Sequence, residues 1–250
     1  MSGIVAATLH APLPVHVLDI SNTVNPDVAG LLSAGGWFGK QQPVRIINTA
    51  LVNTLEIPAS LDGADLTLVN QAGGLIGGTV SGGTAIKTRA SIKIDNAGSI
   101  NGGGGAGGTG GTTNVQFQSP TYIPATGWGY GGNGGSGKGF AVGDLQIYEA
   151  SAGAAGTSTG VIYGHLASGG DFGGGGSWAQ AYGGSGGYGG DWGQQGYNGG
   201  AASTSGAGGY VYVSGGPTPG GIGTQGGYYI DGNSFVTWVN VGTRLGRVLA

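Results

Sequence analysis

The sequence predicts a mainly β and irregular fold, in which a β-helix-like or β-prism-like stack is followed by a bundle of polyglycine-II helices that carry loops. Two observations lead to this prediction. Glycine opens six consecutive triplets across residues 184–201, and short segments of alternating apolar residues precede the glycine-rich part. A period of three is neither helical nor strand-like, but it matches the roughly three residues per turn of polyproline-II geometry.

Glycine also recurs at every third position in several shorter tracts. Where the recurring residue has no side chain, a neighbouring backbone can approach closely and bond its N–H and C=O groups. The tracts are 102–111, 131–137, 170–176 and 220–226, with pairs at Gly153/Gly156 and Gly206/Gly209. We expect at least five short glycine helices. Collagen is excluded because these tracts are short and almost free of proline.

Residues 1–43 are predicted to form an N-terminal attachment region. The residues Asn25-Pro-Asp27 can cap a short helical turn that stops at Gly35-Gly36. Trp37 and Phe38 follow as a bulky apolar anchor. This anchor either packs within a small cap or forms a docking surface for a partner protein.

Residues 44–100 are predicted to form a β-stack. Short alternating segments begin at Val44, Leu55, Leu66 and Ile92. The first three are spaced by 11 residues, which suits single strands that stack as rungs. An ordinary β-meander is the alternative. The asparagines that we expect to form an internal amide ladder are Asn48, Asn70 and Asn96.

Residues 101–228 are expected to form a polyglycine-II sandwich with loops, and residues 229–250 a closing strand. The alternation of residues across 235–241 predicts a strand that returns to the β-stack. Arg244 and Arg247 are expected to pin this end of the chain rather than to bind a ligand.

Composition and charge exclude several classes of protein. There are 8 Lys+Arg against 11 Asp+Glu, and no charged residue lies between Asn96 and Gly137. A nucleic-acid binder needs a basic patch to neutralise phosphates, so nucleic acid is not an expected partner. Neither a run of about 20 apolar residues nor a secretory signal is visible, which predicts folding in a cytoplasm. The absence of cysteine excludes disulfides and thiolate metal sites.

We predict no catalytic site, no metal site and no cofactor. The three histidines, His10, His16 and His165, lack metal-ligand spacing. Hydrolysis of a polysaccharide would need a pair of carboxylates about 5 to 9.5 Å apart. The close pair Asp62 and Asp65 is expected to serve turn chemistry instead. The chain is therefore not expected to be an enzyme.

Aromatic residues are concentrated in the loops between the glycine tracts. If successive glycine helices run antiparallel, alternate loops gather at one end and form a recognition surface on a rigid mount. The candidate binding residues are Phe117, Tyr122, Trp128, Tyr130, Tyr148, Tyr163, His165, Trp178 and Tyr182.

Two stretches carry a resemblance to a known family. They are Ile-Lys-Ile-Asp-Asn-Ala-Gly-Ser-Ile-Asn-Gly-Gly-Gly-Gly at 92–105 and Ile-Asp-Gly-Asn-Ser-Phe-Val-Thr-Trp-Val-Asn-Val-Gly-Thr-Arg-Leu-Gly at 230–246. Over about residues 66–250 the chain resembles bacteriophage tail-fibre tip adhesins and glycine-rich phage tail proteins. Its glycine triplets are similar to the polyglycine-II sandwich of T-even-like long tail fibre adhesins.

The resemblance implies a non-enzymatic receptor-binding protein of a phage virion, made in the cytoplasm of the bacterial host. Its aromatic loops would bind a host outer-membrane protein or a surface saccharide. At the N-terminus the chain departs from those adhesins, since their attachment segment is not visible. Independently of the resemblance, we expect the N-terminal region, with Trp37 and Phe38, to bind other phage tail proteins, and a homotrimer is a further expectation. The alternative is a structural tail-tip or baseplate component that makes no direct contact with the receptor.

Overall fold

The computed structural model describes residues 12–117, 125–160, 162–163, 178–207, 211–212 and 215–250. Across these ranges the protein is mainly β with little helix, as predicted. The described helical elements are α1 (Val28–Ala34) and two 3₁₀ turns, Ala59–Leu61 and Asn233–Phe235. None of them is long and apolar enough to cross a membrane.

The strands fall into three groups along the chain. The first group is β1 (His16–Asp19), β2 (Thr23–Val24), β3 (Val44–Asn48), β4 (Leu51–Asn53), β5 (Leu55–Ile57), β6 (Leu66–Asn70), β7 (Leu75–Gly77), β8 (Ile86–Thr88), β9 (Ile92–Asn96) and β10 (Ser99–Asn101). The second is β11 (Thr113–Phe117), β12 (Ala125–Tyr130), β13 (Gly139–Phe140), β14 (Ile147–Tyr148), β15 (Thr157–Ser158), β16 (Ile162–Tyr163), β17 (Trp178–Tyr182), β18 (Ser203–Ala207) and β19 (Val211–Tyr212). The third is β20 (Tyr228–Asp231), β21 (Val236–Asn240), β22 (Thr243–Leu245) and β23 (Arg247–Leu249).

The first and third groups build three parallel sheets among the described residues, which we call the parallel stack. The strand orders are β1-β3-β6-β9-β21, β2-β4-β7-β10-β22 and β5-β8-β20-β23. Each turn of the chain visits the sheets in this same order. Because all the pairs are parallel, the β-meander alternative is wrong.

The predicted 11-residue rungs are only partly right. Val44 pairs with Leu66, which places them one turn apart, but Leu55 begins a strand of the third sheet. Two steps of 11 therefore make one turn, because each turn contains three short strands rather than one. The stack also includes β1, which pairs with Val44 and its neighbours and lies within the segment 1–43. The domain boundaries themselves stay predictions.

The interior of the stack is filled by aligned apolar side chains. In β3, β6 and β9 the central residues Ile46, Leu68 and Ile94 are fully buried and stack on one another. Burial of each such side chain contributes roughly 1.5–3 kcal/mol. Helix α1 adds Val28 and Leu32 to this core. As predicted, Asp27 caps the helix by accepting from the Gly30 N–H at 3.0 Å, and the helix ends at Gly35.

The predicted asparagine ladder is present at the corner between the first and second sheets. Asn48 Nδ2 donates to Asn70 Oδ1 at 2.8 Å, and Asn70 Nδ2 donates to Asn96 Oδ1 at 2.7 Å. All three side chains are buried. Asn96 Nδ2 continues the ladder to the Val241 carbonyl at 2.9 Å. The ladder thus satisfies a column of buried amides that would otherwise destabilise the stack.

The C-terminal strands complete the parallel stack rather than following the glycine-rich part as a separate unit. β21 pairs with β9, and β20 pairs with β8, so the predicted return of the chain is confirmed. The glycine-rich residues between β10 and β20 are therefore an insertion within one turn. Cation–π contacts hold the last turn: the Arg244 guanidinium lies 4.8 Å from the Trp238 ring centre, and Arg247 lies 4.2 Å from that of Tyr228.

The insertion contains extended segments, which we call rods, linked by backbone hydrogen bonds. In the described part of the chain they are rod 1 (102–111), rod 2 (131–138), rod 3 (150–156), rod 4 (183–190), rod 5 (194–200) and rod 6 (218–227). Every third N–H of rod 1 donates to rod 2. The donors are Gly104, Gly107 and Gly110, and the acceptors are the carbonyls of Lys138, Gly135 and Gly132.

The rods with the most neighbours are the richest in glycine. Within the described ranges, rods 1 and 4 each bond four other rods and contain at least two glycines per triplet, whereas rod 3 bonds two and contains one. The reason is steric. A Cβ on Gly108 would lie 1.9 Å from the Gly221 carbonyl oxygen, and one on Gly187 would lie 2.0 Å from that of Tyr197. A side chain is possible only at a position that faces solvent.

Two of the predicted glycine tracts differ from the structure. The run 184–201 is not continuous, because the chain reverses at 191–193, where Gly193 has φ +66° and the Gln194 N–H donates to the Asp191 carbonyl. Gly206 lies in β18 and not in a rod. The tract 170–176 and Gly209 lie outside the described residues.

Replacing the middle of the amide ladder is expected to destabilise the protein. Asn70→Ala removes both ladder bonds and leaves buried groups of Asn48 and Asn96 without their partner, so the free energy of unfolding should fall by about 2–4 kcal/mol. Denaturant unfolding followed by circular dichroism measures this. Asn240→Ala, an exposed asparagine in β21, is the matched control and should change stability little. Equal effects of the two changes would contradict the role of the ladder.

A methyl group inside the bundle should be more damaging than one at its surface. Gly108→Ala forces rods 1 and 6 apart, and we expect it to lower the free energy of unfolding by at least about 3 kcal/mol. Gly216→Ala is the control, since a Cβ there meets nothing within 4 Å. Thermal unfolding of both variants tests the prediction, which fails if Gly108→Ala is as stable as the control.

Candidate functional site

The rods alternate in direction, so the connections between them gather at two ends. As rod 1 runs from Gly104 to Gly110, its partners in rod 2 run from Lys138 back to Gly132. Every later consecutive pair is antiparallel in the same way. The described residues of the long connections 112–130, 157–182 and 201–217 therefore lie at the end distant from the parallel stack, which we call the far end. The connections 139–149 and 191–193 lie at the near end, beside the stack.

The described part of the far end consists of two small antiparallel sheets. Their strand orders are β15-β12-β11-β19 and β16-β17-β18. Small residues face the contact between them: Gly127 and Gly129 from β12 are buried, as are Ala179 and Ala181 from β17. A Cβ on Gly129 would lie 2.5 Å from the backbone of Tyr182. The sheets therefore pack backbone to backbone, which directs their larger side chains outward.

Trp128 and Tyr130 form an exposed aromatic pair in the described part of this end. They alternate with the buried glycines of β12 and are 44% and 52% exposed. Their rings stack, with centres 6.4 Å apart and planes inclined by 19°. Beside them lies a groove of about 300 Å³, whose other lining residues include Asn114, Gly215, Gly216 and Thr218.

Trp178 and Tyr182 belong to the other sheet. Alternation along β17 places both on its outward side, away from Trp128 and Tyr130. Tyr182 is 40% exposed, and its hydroxyl donates to Gln180 Oε1 at 2.7 Å. Trp178 is half-buried. The far end therefore presents aromatic side chains on two outer faces.

Tyr148 lies at the near end, apart from the other candidates. Its hairpin, β13 and β14, packs on the parallel stack through Phe140, which is fully buried and meets the Trp192 ring edge-on at 6.0 Å. Asn53 Nδ2 donates to the carbonyls of Ala141 and Asp144 at 2.8 and 2.6 Å. This loop therefore fixes the bundle to the stack.

The remaining loop candidates are less fully described. Phe117 and Tyr163 lie in the far-end strands β11 and β16, but their side chains are outside the described part of the structure. Tyr122 and His165 lie outside the described residues altogether.

The two attachment candidates differ in their surroundings. Trp37 is half-buried against the core of the stack, and its Nε1 donates to the Gln42 carbonyl at 3.1 Å. Phe38 is 79% exposed. The structure therefore separates a packing residue from an exposed one, a difference that the sequence alone does not reveal.

The acidic residues considered at the sequence level make structural contacts. Asp62 Oδ1 accepts from the N–H and the hydroxyl of Ser91, and these bonds hold the pKa of Asp62 below its usual value. Asp65 forms an ion pair with Lys93 at 2.9 Å. Within the described ranges, no three His, Cys, Asp or Glu side chains come together in a way that could hold a metal ion.

The comparison with protein families identifies the class of the protein. Residues 16–249 match the family described as phage tail fibre adhesin Gp38. The chain belongs to this family. It is therefore a tail fibre adhesin, which confirms the resemblance and agrees with the prediction that it is not an enzyme. As an adhesin of the tail fibre it is a component of the virion tail.

Solved structures and curated proteins add little to this assignment. The adhesin is similar to a chain of the gp37–gp38 adhesin tip complex of the bacteriophage S16 long tail fiber. The identity is 21%, the match covers 94% of this chain and 82% of that chain, and the TM-score is 0.42. No curated protein matches the chain.

Sequence reasoning missed the residues that complete the groove beside Trp128. Gly215 and Gly216 are separated from Trp128 by most of the insertion, and only the pairing of the far-end strands brings them close. A signal for the exposed pair itself was present. The alternation Gly127-Trp128-Gly129-Tyr130 predicts a strand with one glycine face and one aromatic face.

Proposed function

We propose that this adhesin is the receptor-binding protein of its phage and that its far end contacts a host outer-membrane protein or a surface saccharide. The observation that carries the proposal is the exposed, stacked pair Trp128 and Tyr130 beside an open groove at that end. Aromatic side chains are enriched at the energetic centres of interfaces. Tyr182 and Trp178 supply a second face of the same surface.

Rigidity is the physical advantage of this arrangement. The pair lies on a strand whose glycine face packs against a second sheet, and that sheet is joined to the rods. Ordering of a flexible side chain at an interface costs roughly 0.5–1.5 kcal/mol, and a preorganised side chain avoids most of this cost. Phe117 and Tyr163 remain part of the proposed surface, because they belong to the far-end strands β11 and β16. Tyr122 and His165, outside the described residues, stay candidates for it. We leave Tyr148 out, since it lies at the near end.

We also propose that the rods are polyglycine-II helices and that the parallel stack is a β-helix or β-prism. The three-residue period of the hydrogen-bond donors in rod 1 supports the first assignment. The repeated visiting of three parallel sheets supports the second. Together they form a mount that holds the far end at a distance from the rest of the virion.

For attachment to the virion we propose the N-terminal residues 1–43, whose described part includes an edge strand of the parallel stack. The edge strand β1 and the segment before it expose Val15 and Val17, and Phe38 is the most exposed aromatic side chain of the described N-terminal part. An apolar, partly unpaired edge suits docking to another tail protein, such as a fibre protein of the gp37 kind. We further propose that the adhesin is synthesised in the host cytoplasm and that it forms a homotrimer.

Loss of the stacked pair should strongly weaken adsorption. The double variant Trp128→Ala, Tyr130→Ala is expected to weaken binding of the purified protein to host cells by about 100-fold, since two central aromatic contacts of about 1–2 kcal/mol each are removed. Cell-binding isotherms measure this, with host mutants that lack one surface protein or saccharide to identify the receptor.

Tyr148→Ala is the matched control for this experiment, because it removes an exposed tyrosine at the near end. It should leave adsorption unchanged. Adsorption that survives the double variant, in a protein shown to be folded, would exclude the far-end pair. A folded wild-type protein that binds no host cell would favour a structural tail component.

Attachment to the virion should depend on Phe38, whereas the stability of the fold should not. Phe38→Ser removes an exposed side chain, so thermal stability should persist while incorporation into particles falls. Complementation of an adhesin-deficient phage, followed by measurement of the adhesin content of purified particles, tests this. Val142→Ser, at an 84% exposed near-end position, is the control and should assemble normally. Normal incorporation of Phe38→Ser would rule out this docking surface.

A further inference from the structure

A second open cavity lies on the flank of the bundle, away from the far end. It has a volume of about 560 Å³ and lies where rods 4 and 5 meet the start of rod 3. Its lining includes Glu149, Tyr188, Asp191, Gln194 and Tyr197. Tyr188 is roughly 20 Å further along rod 4 than Tyr182. We call this cavity the flank cleft.

The period of rod 4 explains why these side chains share one line. Cβ atoms on Gly186, Gly187, Gly189 and Gly190 would each lie within 2.5 Å of a backbone atom of a neighbouring rod. The third position of each triplet faces outward, and it holds Ser185, Tyr188 and Asp191. Tyr188 and Asp191, which directly follows rod 4, therefore have backbones about 9 Å apart along the chain.

The two tyrosines are exposed and held by rigid backbone. Tyr188 is 48% exposed, and its hydroxyl donates to the Ala150 carbonyl at 3.0 Å. Tyr197 is 65% exposed, and its N–H donates to the Tyr188 carbonyl at 2.8 Å. An aromatic ring with an apolar face and a polar tip suits a ligand that is apolar on one face and polar at its edge.

The polar side of the cleft is an ion-pair network with remaining acceptor capacity. Lys138 Nζ lies 2.9 Å from Glu149 Oε2 and 3.7 Å from Asp191 Oδ1. Among the described residues, Glu149 Oε1 and Asp191 Oδ2 have no hydrogen-bond partner, so they can accept from ligand hydroxyls. The hydrogen bond to Glu149 raises the pKa of Lys138, which therefore stays charged. The three groups together carry one negative charge.

We propose that the flank cleft is a binding site for a neutral saccharide of one to three hexose units. The tyrosine rings pack on the C–H face of a sugar, and the carboxylates accept hydrogen bonds from its hydroxyls. The local negative charge disfavours phosphorylated and sialylated glycans. A volume of about 560 Å³ lies within the range of small-molecule sites. The inference does not rest on recognition by the far end.

The test uses the full-length protein on an array of immobilised glucose-, galactose- and mannose-based oligosaccharides with their sialylated and phosphorylated counterparts. The protein is expected to bind at least one neutral glycan saturably and to bind the charged counterparts more weakly. Tyr197→Ala should weaken that binding at least about tenfold through loss of a stacking surface. Asp191→Asn should weaken it as well, because an amide is a poorer acceptor than a carboxylate.

Val142→Ser, at an 84% exposed position outside the lining of the cleft, is the control and should bind the glycans like the wild type. Tyr197 makes no described side-chain hydrogen bond, so its replacement is expected to leave thermal stability intact, and this is checked by unfolding. The proposal is overturned if no neutral glycan is bound, if only charged glycans are bound, or if folded Tyr197→Ala binds unchanged. Because whole-cell adsorption is read separately, failure here leaves the far-end proposal standing.

Discussion

Backbone hydrogen bonds between rods require two chains to approach to a distance at which even one Cβ would clash. Gly108 and Gly187 show this most directly, and each belongs to a rod with four described neighbours. A Cβ added to either glycine would lie about 2 Å from a carbonyl oxygen of the next rod, well inside van der Waals contact. This constraint determines the composition of the insertion. It also confines every functional side chain to the outer position of a triplet or to a connection at an end.

The parallel stack and the bundle share hydrogen bonds instead of a flexible linker. The Gly103 N–H donates to the Gly83 carbonyl, and the Gly102 N–H donates to the Leu245 carbonyl of β22. Phe140 fixes the near-end hairpin to the stack by packing its ring against Gly77. Only glycine leaves room for the ring, because a Cβ on residue 77 would lie 2.5 Å from it. The orientation of the far-end aromatics therefore follows from the stack, about the length of a rod away.

Much of the fold could be predicted because its periods are visible in the sequence. The amide ladder was predictable from asparagines that end successive strands. The alternation of the rods was considered only as a condition, because the glycine period does not give the direction of a rod. The presence of three strands in each turn of the stack could not be predicted, because a step of 11 residues does not show which of the three sheets a strand joins. The break at 191–193 was hidden by unbroken triplets. Tyr148 was a candidate together with residues that lie at the far end. The end at which a loop lies depends on the number of rods before it, and short glycine pairs such as Gly153/Gly156 left that number uncertain. The groove beside Trp128 needed pairing between distant strands.

The position of the insertion within a turn links the order of synthesis to the order of folding. Asp95 pairs with Asn240 across 145 residues, so the last turn of the stack cannot form until the entire insertion has left the ribosome. If the insertion were a flexible loop, its closure would cost about 4 kcal/mol. Folded, it returns its own ends to hydrogen-bonding distance at Gly103 and Gly227 and removes most of that cost. The two parts of the adhesin should therefore gain stability together, as one cooperative unit with high contact order and slow folding.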